Sequence, residues 1–229
     1  MTPSLRRGPF DHAGGGLEMI LLMGAPGSGK GTQGELLCSA NPSLVKISTG
    51  DLLRKHIEGA TELGKQVEST LAAGHLVSDE ILLELLAKEL KSLDSKNILL
   101  DGYPRNLKQA KDLERFSEVT AVIYLQVGLD HLVERIAGRQ VCASCGKAFH
   151  RSFHPSKEEG SCDSCGGDLR QRPDDTQEKL EVRYRVYEQE TMPVLDFYRQ
   201  RGLLKEVNGG VSPAEVARNL ETLLREIRK

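Results

Sequence analysis

Short apolar runs alternate with amphipathic segments along most of the chain. Five runs predict buried strands, at residues 17–24, 44–48, 97–102, 121–127 and 203–209. The segments between them repeat apolar residues at helical spacing, which predicts helices such as 80–90, 129–138 and 213–228. Strands that alternate with helices favour an α/β fold with a parallel sheet covered on both faces. Ligands of such sheets bind at the carboxyl ends of the strands.

Two segments depart from this rhythm. Residues 176–199 predict one long helix whose period is interrupted near Met192 and Pro193. Residues 140–172 are rich in Gly, Ser, Cys and charge, and they show neither a helical period nor a clear core strand. Because an ordinary connection is much shorter, the second segment is predicted to be an inserted unit with its own means of holding together.

The first predicted strand runs into a glycine-rich loop, MGAPGSGKGT, at residues 23–32. Gly24, Gly29 and Lys30 match the phosphate-binding P-loop, although the hydroxyl that follows the lysine arrives one position late, as Thr32. Backbone N–H groups of the loop and the N-terminus of the next helix can surround an anion, and Lys30 can reach outer phosphates. Asp101, at the end of the third strand, is the natural carboxylate for Mg²⁺, held through waters.

The inserted unit carries two Cys-x-x-Cys pairs, Cys142 with Cys145 and Cys162 with Cys165. This spacing is typical of a four-thiolate zinc site, and a filled shell of four ligands makes a structural rather than a catalytic site. Two disulfides, four free thiols and a DNA-reading zinc finger are alternatives, and iron or cobalt also accepts four thiolates. We predict structural zinc. Cys38 is predicted to be an inert core residue.

The composition argues against two kinds of partner, nucleic acids and membranes. The 229 residues are 38% hydrophobic but only 4% aromatic, without tryptophan, and 31 basic against 33 acidic residues give a net charge of −2. A nucleic-acid partner is therefore not expected, because neither a basic field nor stacking aromatics are present. No apolar run approaches the roughly 20 residues of a membrane-spanning helix, so we expect no membrane partner. Residues 1–17 lack a signal-peptide core and are expected to be a flexible leader, with Met19 a possible alternative start.

Five motifs together resemble the adenylate kinase family. They are GAPGSGKGT, ISTGDLLR (47–54), GHLVSDE (74–80), DGYPRNLKQA (101–110) and RQRPDD (170–175), and they occur in that family's order. The four cysteines resemble those of its zinc-bearing bacterial members with a long lid, and the late Thr32 is the family's usual form of the loop. The resemblance implies a P-loop NTPase-type five-stranded parallel sheet flanked by helices, spanning 18–229. It also implies two insertions, an AMP-binding helical segment at 48–77 and a zinc-containing lid at 139–176.

The resemblance also implies site residues. Those implied to be catalytic are Lys30, Asp101, Arg105, Arg139, Arg172, Asp174, Asp175 and Arg183. Those implied to bind ATP are Gly27, Ser28, Gly29, Lys30, Gly31, Thr32, Arg135, Arg139, Ala148, Phe149 and Val211. Those implied to bind AMP are Thr49, Arg54, His75, Leu76, Val77, Gly102, Tyr103, Pro104, Arg105, Gln109, Arg172 and Arg183. The amide of Gln109 is expected to face the adenine edge, and His75 is expected to make a backbone contact rather than to act as a base.

The implied reaction is reversible phosphoryl transfer from MgATP to AMP, giving two ADP. Two alternatives keep the chemistry and change the nucleotide, a UMP/CMP kinase and a GTP:AMP phosphotransferase. Two others are a simple NTP hydrolase and a zinc-finger nucleic-acid-binding module. The family expectation is a cytoplasmic monomer whose partners are ATP, AMP and ADP, with structural Zn²⁺ and with Mg²⁺ carried by ATP.

Overall fold

The computed structural model describes residues 18–93, 97–115 and 117–228, so the predicted leader lies outside it. The first half contains β1 (Glu18–Gly24), α1 (Lys30–Ala40), β2 (Leu44–Ser48), α2 (Thr49–Glu58), α3 (Glu62–Ala72), α4 (Asp79–Lys91), β3 (Asn97–Asp101), α5 (Leu107–Glu114) and β4 (Glu118–Gln126). The second half contains α6 (Leu129–Ala137), β5 (Arg139–Cys142), β6 (Ala148–His150), β7 (Leu169–Arg170), α7 (Gln177–Val186), a π-helical turn (Tyr187–Thr191), α8 (Met192–Arg199), β8 (Leu204–Asn208) and α9 (Pro213–Ile227).

The five predicted strands form one parallel sheet in the order β2-β3-β1-β4-β8. The central strand β1 is buried along all but its first residue, as expected for a parallel strand with helices on both faces. The predicted fold class is therefore confirmed.

Side chains of β1 alternate between two cores. Met19, Leu21 and Met23 pack on the face covered by α2, α4, α5 and α8. Ile20 and Leu22 pack on the opposite face, against α1 and α9. Because apolar cores cover both faces of the sheet, a polar ligand can bind only at the ends of the strands.

The carboxyl ends of the five strands meet at one edge of this sheet. There β1 ends at Gly24, β2 at Ser48 and β3 at Asp101. The chain turns directly from β2 into α2, where the Ser48 hydroxyl caps the helix by accepting a hydrogen bond from the Asp51 N–H at 3.3 Å. This edge therefore gathers the P-loop, the start of α2 and the end of β3.

The inserted unit contains strands that the sequence does not predict. Three short antiparallel strands pair in the order β6-β5-β7, around a small buried cluster of Cys142, Phe149, Cys162 and Leu169. The prediction of no clear strand is wrong because strands of two to four residues are too short to show an alternating pattern. The boundaries of this lid and of the 48–77 segment remain predictions.

The predicted helix 176–199 is divided by the π-helical turn. The interruption comes before the position predicted from Met192 and Pro193, because Pro193 lies in the first turn of α8, where its missing N–H costs nothing. The turn places Tyr187 and Thr191 beside the strand edge described above.

Candidate active site

A cavity of about 410 Å³ opens at the carboxyl edge of the main sheet. Its walls come from the P-loop, the start of α2, the end of β3, the lid and α7. The predicted residues found on these walls are Gly27, Ser28, Gly29, Lys30, Gly31, Thr32, Arg54, His75, Leu76, Asp101, Gly102, Tyr103, Pro104, Arg105, Arg135, Arg139, Ala148, Phe149, Arg172, Asp174 and Arg183. Positions far apart in the sequence thus face one space.

The P-loop wraps around the ammonium of Lys30. Its Nζ donates to the carbonyl oxygens of Gly24 and Ala25 at 2.7 and 2.9 Å. Burial lowers the pKa of Lys30 to about 8, against an opposing attraction from Asp101 and with further lowering by nearby arginines. Gly24 has φ of +155°, and a Cβ there would lie 2.7 Å from the Ser28 hydroxyl. The loop therefore needs glycine at this position.

Several arginines line the same cavity as Lys30, among them Arg105, Arg172 and Arg183. Burial lowers the pKa of Arg105 and of Arg172 to about 10 each. Burial also lowers the pKa of Arg183. The Nε of Arg172 is buried without a protein partner in the described part of the chain. Such a donor is costly to leave unpaired, so this group is suited to an anionic ligand.

Two aspartates hold part of the arginine array. Asp174 pairs with Arg183 at 2.8 Å, and the buried Asp175 accepts from Arg139 Nε at 2.6 Å and lies 3.7 Å from Arg183. Burial acts to raise the pKa of Asp174, but the charges of Arg183 and Arg139 outweigh it and hold that pKa below its usual value. Asp174 therefore stays ionised, and the ion pairs of the two carboxylates hold Arg139 and Arg183 in place.

On the adenine side predicted for ATP, Arg135 joins two loops. Its guanidinium donates to the carbonyls of Ser28 at 3.1 Å and Gly209 at 2.7 Å. Ala148 and Phe149 reach the cavity from the lid. Val211 is not among the residues that line this cavity but lies in a separate shallow hollow with Val127 and His131, and its contact with adenine remains a prediction.

Three of the residues predicted to contact AMP do not line the cavity, and their contact with AMP remains a prediction. Gln109 is fully buried, and its amide accepts from the Arg105 N–H at 2.7 Å and donates to Asp79 at 2.7 Å, so it braces the loop rather than facing the cavity. The Thr49 hydroxyl is likewise occupied by the Gly102 carbonyl at 2.8 Å. Val77 packs in the apolar core. Sequence alone could not separate these residues from their exposed neighbours.

The four lid cysteines come together as the spacing predicts. Their Sγ atoms all lie within 4.8 Å of one another, at 3.4 Å for Cys142–Cys165 and 3.6 Å for Cys145–Cys162. These separations exceed the roughly 2.05 Å of a disulfide and approach the roughly 3.8 Å between sulfurs bound to one zinc at about 2.3 Å. Backbone N–H groups of Cys145 and Ser144 lower the pKa of Cys142 to about 6. The donor set fits a tetrahedral thiophilic metal.

Several cavity residues were not singled out from the sequence. Gly209, Phe153, His154, Tyr187 and Thr191 all contribute to the walls. Only the aromatic residues near the cysteines gave a usable signal, through their place in the inserted unit. Separately, the helices within the described ranges are all too short or too polar to cross a membrane.

Comparison with known proteins places this geometry in a family. A family model described as adenylate kinase matches residues 22–203. The chain is 41% identical over 207 residues to an adenylate kinase of Caldicellulosiruptor bescii, covering 88% of this chain and 96% of the relative. It is 42% identical over 215 residues to an adenylate kinase of Symbiobacterium thermophilum and 39% identical over 215 residues to one of Archaeoglobus fulgidus, each covering 91% of this chain and 99% of the relative.

These matches favour the phosphotransferase over the pyrimidine-nucleotide, GTP-dependent, hydrolase and zinc-finger alternatives, since each of the three relatives is an adenylate kinase. They agree with the P-loop, the cation-lined cavity and the cysteine-bearing lid found in the structure. The chain belongs to the adenylate kinase family.

Proposed function

We propose that this protein transfers the terminal phosphoryl group of MgATP to AMP, reversibly, giving two ADP. The observation that carries the proposal is the convergence of five cationic side chains on one cavity beside a P-loop. These are Lys30, Arg105, Arg139, Arg172 and Arg183. Phosphoryl transfer depends mainly on positioning and on neutralising charge, which is what such an array supplies.

The reaction needs no general base. An oxygen of the AMP phosphate, already anionic at neutral pH, forms a bond to the γ-phosphorus while the bond from that phosphorus to the β,γ-bridging oxygen breaks. The electron pair of the broken bond stays on the β-phosphate, so both products are ADP. His75 therefore has no proton to remove, and its place on the cavity wall is consistent with contact to the nucleotide.

The two ends of the cavity suit the two nucleotides. The P-loop N–H groups and Lys30 would hold the ATP phosphates, with Arg135, Ala148 and Phe149 toward the base. Arg54, His75, Leu76 and the 102–105 loop would hold AMP. The charge on the phosphoryl group during transfer would be neutralised by Arg105, Arg139, Arg172 and Arg183. Asp174 would orient Arg183, and Asp175 would orient Arg139.

Magnesium would arrive with ATP. Thr32 and the buried Asp101, which lie on the cavity wall, would offer oxygen atoms to Mg²⁺ and its waters. The bound ion would neutralise phosphate charge and orient the transferred group.

Zinc would be structural. The four thiols fit it, and a closed shell of protein ligands leaves no position for substrate. The metal would hold the lid as a unit that covers ATP and excludes water, which limits hydrolysis. Thiolate ligation fits a reducing compartment, so we infer a cytoplasmic location. One described chain supplies all the cavity walls, so we infer a working monomer.

The test is to incubate the purified protein with MgATP and, separately, AMP, GMP, CMP and UMP, and to follow diphosphate and free phosphate. ADP formation with AMP as the preferred acceptor is expected, and Lys30→Met should lower the rate by at least 100-fold. Preference for CMP or UMP would reassign the acceptor, and release of free phosphate without ADP transfer would reassign the protein as a hydrolase. Size-exclusion chromatography with light scattering tests the monomer.

A further inference from the structure

The π-helical turn Tyr187–Thr191 brings a hydroxyl group to the cavity wall. Thr191 is only 7% exposed and ends the turn that joins α7 to α8. π-helical turns are rare and are frequently found at functional sites. The helix that enters this turn also carries Arg183, so one element holds both groups.

The Thr191 hydroxyl reaches a residue 86 positions earlier in the sequence. Its Oγ1 donates to the backbone carbonyl of Arg105 at 2.8 Å. On the other side of the same residue, the Arg105 N–H donates to Gln109 at 2.7 Å. The Arg105 Nε donates to the Gly102 carbonyl at 2.8 Å. Arg105 is thus held at its N–H, its C=O and the root of its guanidinium.

These contacts orient the side chain of Arg105, which in the proposed reaction contacts the phosphoryl group being transferred. Gly102 belongs to the same loop as Arg105, and Gln109 lies on α5, the helix that directly follows this loop. Thr191 is different, because it ties that loop to the separate helix that bears Arg183. The hydroxyl therefore fixes the position of one arginine relative to the other.

We propose that Thr191 is a positioning residue for phosphoryl transfer, acting through the backbone of Arg105. This rests on the proposed function, in which Arg105 contacts the reacting phosphates. Without the hydroxyl, the loop loses its hydrogen bond to the π-helical turn that follows α7, and the Arg105 guanidinium is no longer held where negative charge develops in the transition state. Such misplacement lowers kcat more than it raises the KM for AMP, because Arg54 and Arg172 remain on the wall to hold the ground-state phosphate.

The first experiment compares Thr191→Val, which keeps shape and removes the hydroxyl, with Thr191→Ser, which restores it. Thr120→Val is the matched control, since the Thr120 hydroxyl also donates to a backbone carbonyl, that of Met19 at 3.2 Å, away from the cavity. We expect Thr191→Val to lower kcat about tenfold with less than a threefold change in the KM for either nucleotide. Thr191→Ser should stay within threefold of the natural protein, and Thr120→Val should keep its kcat. Thermal unfolding of each variant shows that it is folded.

The second experiment asks whether the effect passes through Arg105. In an Arg105→Lys background, Thr191→Val should lower kcat by less than threefold, because the guanidinium that Thr191 positions is no longer there. A full tenfold loss in that background would overturn the proposal. Three other results would also overturn it. They are an unchanged kcat in Thr191→Val, a kcat in Thr191→Ser as low as that of Thr191→Val, and an equal loss of kcat in Thr120→Val. If the natural protein itself forms no ADP, the proposed function has failed instead.

Discussion

Lys30 shows how burial of one residue can set a pH limit on the whole enzyme. Its ammonium is enclosed by the P-loop carbonyls, and desolvation lowers its pKa to about 8. Only the protonated form attracts the ATP phosphates. In the free protein this form is lost as pH rises through 8, whereas bound phosphate raises the pKa and protects it.

We therefore predict that kcat/KM for MgATP falls above about pH 8, approaching tenfold per pH unit, while kcat stays level to higher pH. Arg105 and Arg172, with pKa values of about 10, remain charged over the range 7 to 9.5 and do not produce this fall. Titration calorimetry gives the same comparison without turnover: ATP affinity should depend on pH in the natural protein and lose that dependence in Lys30→Met. A constant kcat/KM up to pH 9.5 would contradict the assignment.

Gly24 is the residue on which the shape of the P-loop depends. An alanine there would bring its Cβ within 2.7 Å of Ser28 Oγ and 2.9 Å of the Leu125 carbonyl, at a φ of +155°. We predict that Gly24→Ala lowers the free energy of unfolding by about 2 kcal/mol or more. Gly31→Ala is the matched control, because no atom lies within 4 Å of its Cβ and alanine favours the helix. Urea denaturation without nucleotide checks both, and an equal loss in the two variants would refute the steric argument.

At the scale of elements, the lid combines a very small apolar core with a cluster of four thiols that fits a metal. Its buried cluster consists of Cys142, Phe149, Cys162 and Leu169, two of which are themselves metal-ligand candidates. So small a cluster cannot by itself stabilise a unit of this length, and binding of the proposed zinc would supply the missing free energy.

We predict that Cys165→Ser lowers bound zinc from about one per chain to a trace and exposes the lid to protease, with first cuts between residues 139 and 176. The main sheet should survive, because both its cores lie outside the lid. Cys38→Ser should retain the metal, since Cys38 lies on α1 and packs against a core of the main sheet, outside the lid. Plasma mass spectrometry and mapping of the cut sites are the measurements. Full zinc content in Cys165→Ser would show that this thiol is not a ligand.

Helices and strands could be predicted where the pattern of apolar residues, or the spacing of a motif, extends over enough residues to be recognised. The strand β1 and the P-loop that follows it show an apolar run and a spaced motif, and β2 shows a run of five residues. The lid strands are two to four residues long, so their pairing follows from the cysteine turns rather than from periodicity. The π-helical turn adds one residue within a continuous helical sequence and leaves no composition signal.

For the whole molecule, sequence identified the residue types of the site better than their orientations. Arg105 follows β3 at the carboxyl edge of the parallel sheet, Arg172 follows β7 of the lid, and both line one cavity, as their motifs predict. The sequence could not show that Gln109 turns inward to Arg105 and Asp79, since that depends on how α4 and α5 pack. Nor could it show that Thr191 meets Arg105, because the contact requires both the π-helical turn and the closed tertiary fold.

Charge balance across the whole cavity leads to a last prediction. Asp175 is fully buried between Arg139, at the entry to the lid, and Arg183 on α7, so it offsets repulsion between two parts of the molecule. Asp175→Asn should lower the free energy of unfolding by about 3 kcal/mol without nucleotide, because two arginines lose their buried counter-charge.

Saturating MgATP should reduce this difference in free energy of unfolding between Asp175→Asn and the natural protein, since its phosphates supply negative charge to the same arginines. Asp196→Asn is the control: Asp196 also pairs with an arginine, Arg199, but both side chains are more than half exposed, at 66% and 51%, so no measurable change is expected. Urea denaturation of both variants, with and without MgATP, makes the comparison. A deficit in Asp175→Asn that nucleotide leaves unchanged would mean that Asp175 acts by packing alone, whereas a deficit that closes would show that the empty cavity is under electrostatic strain that its substrate relieves.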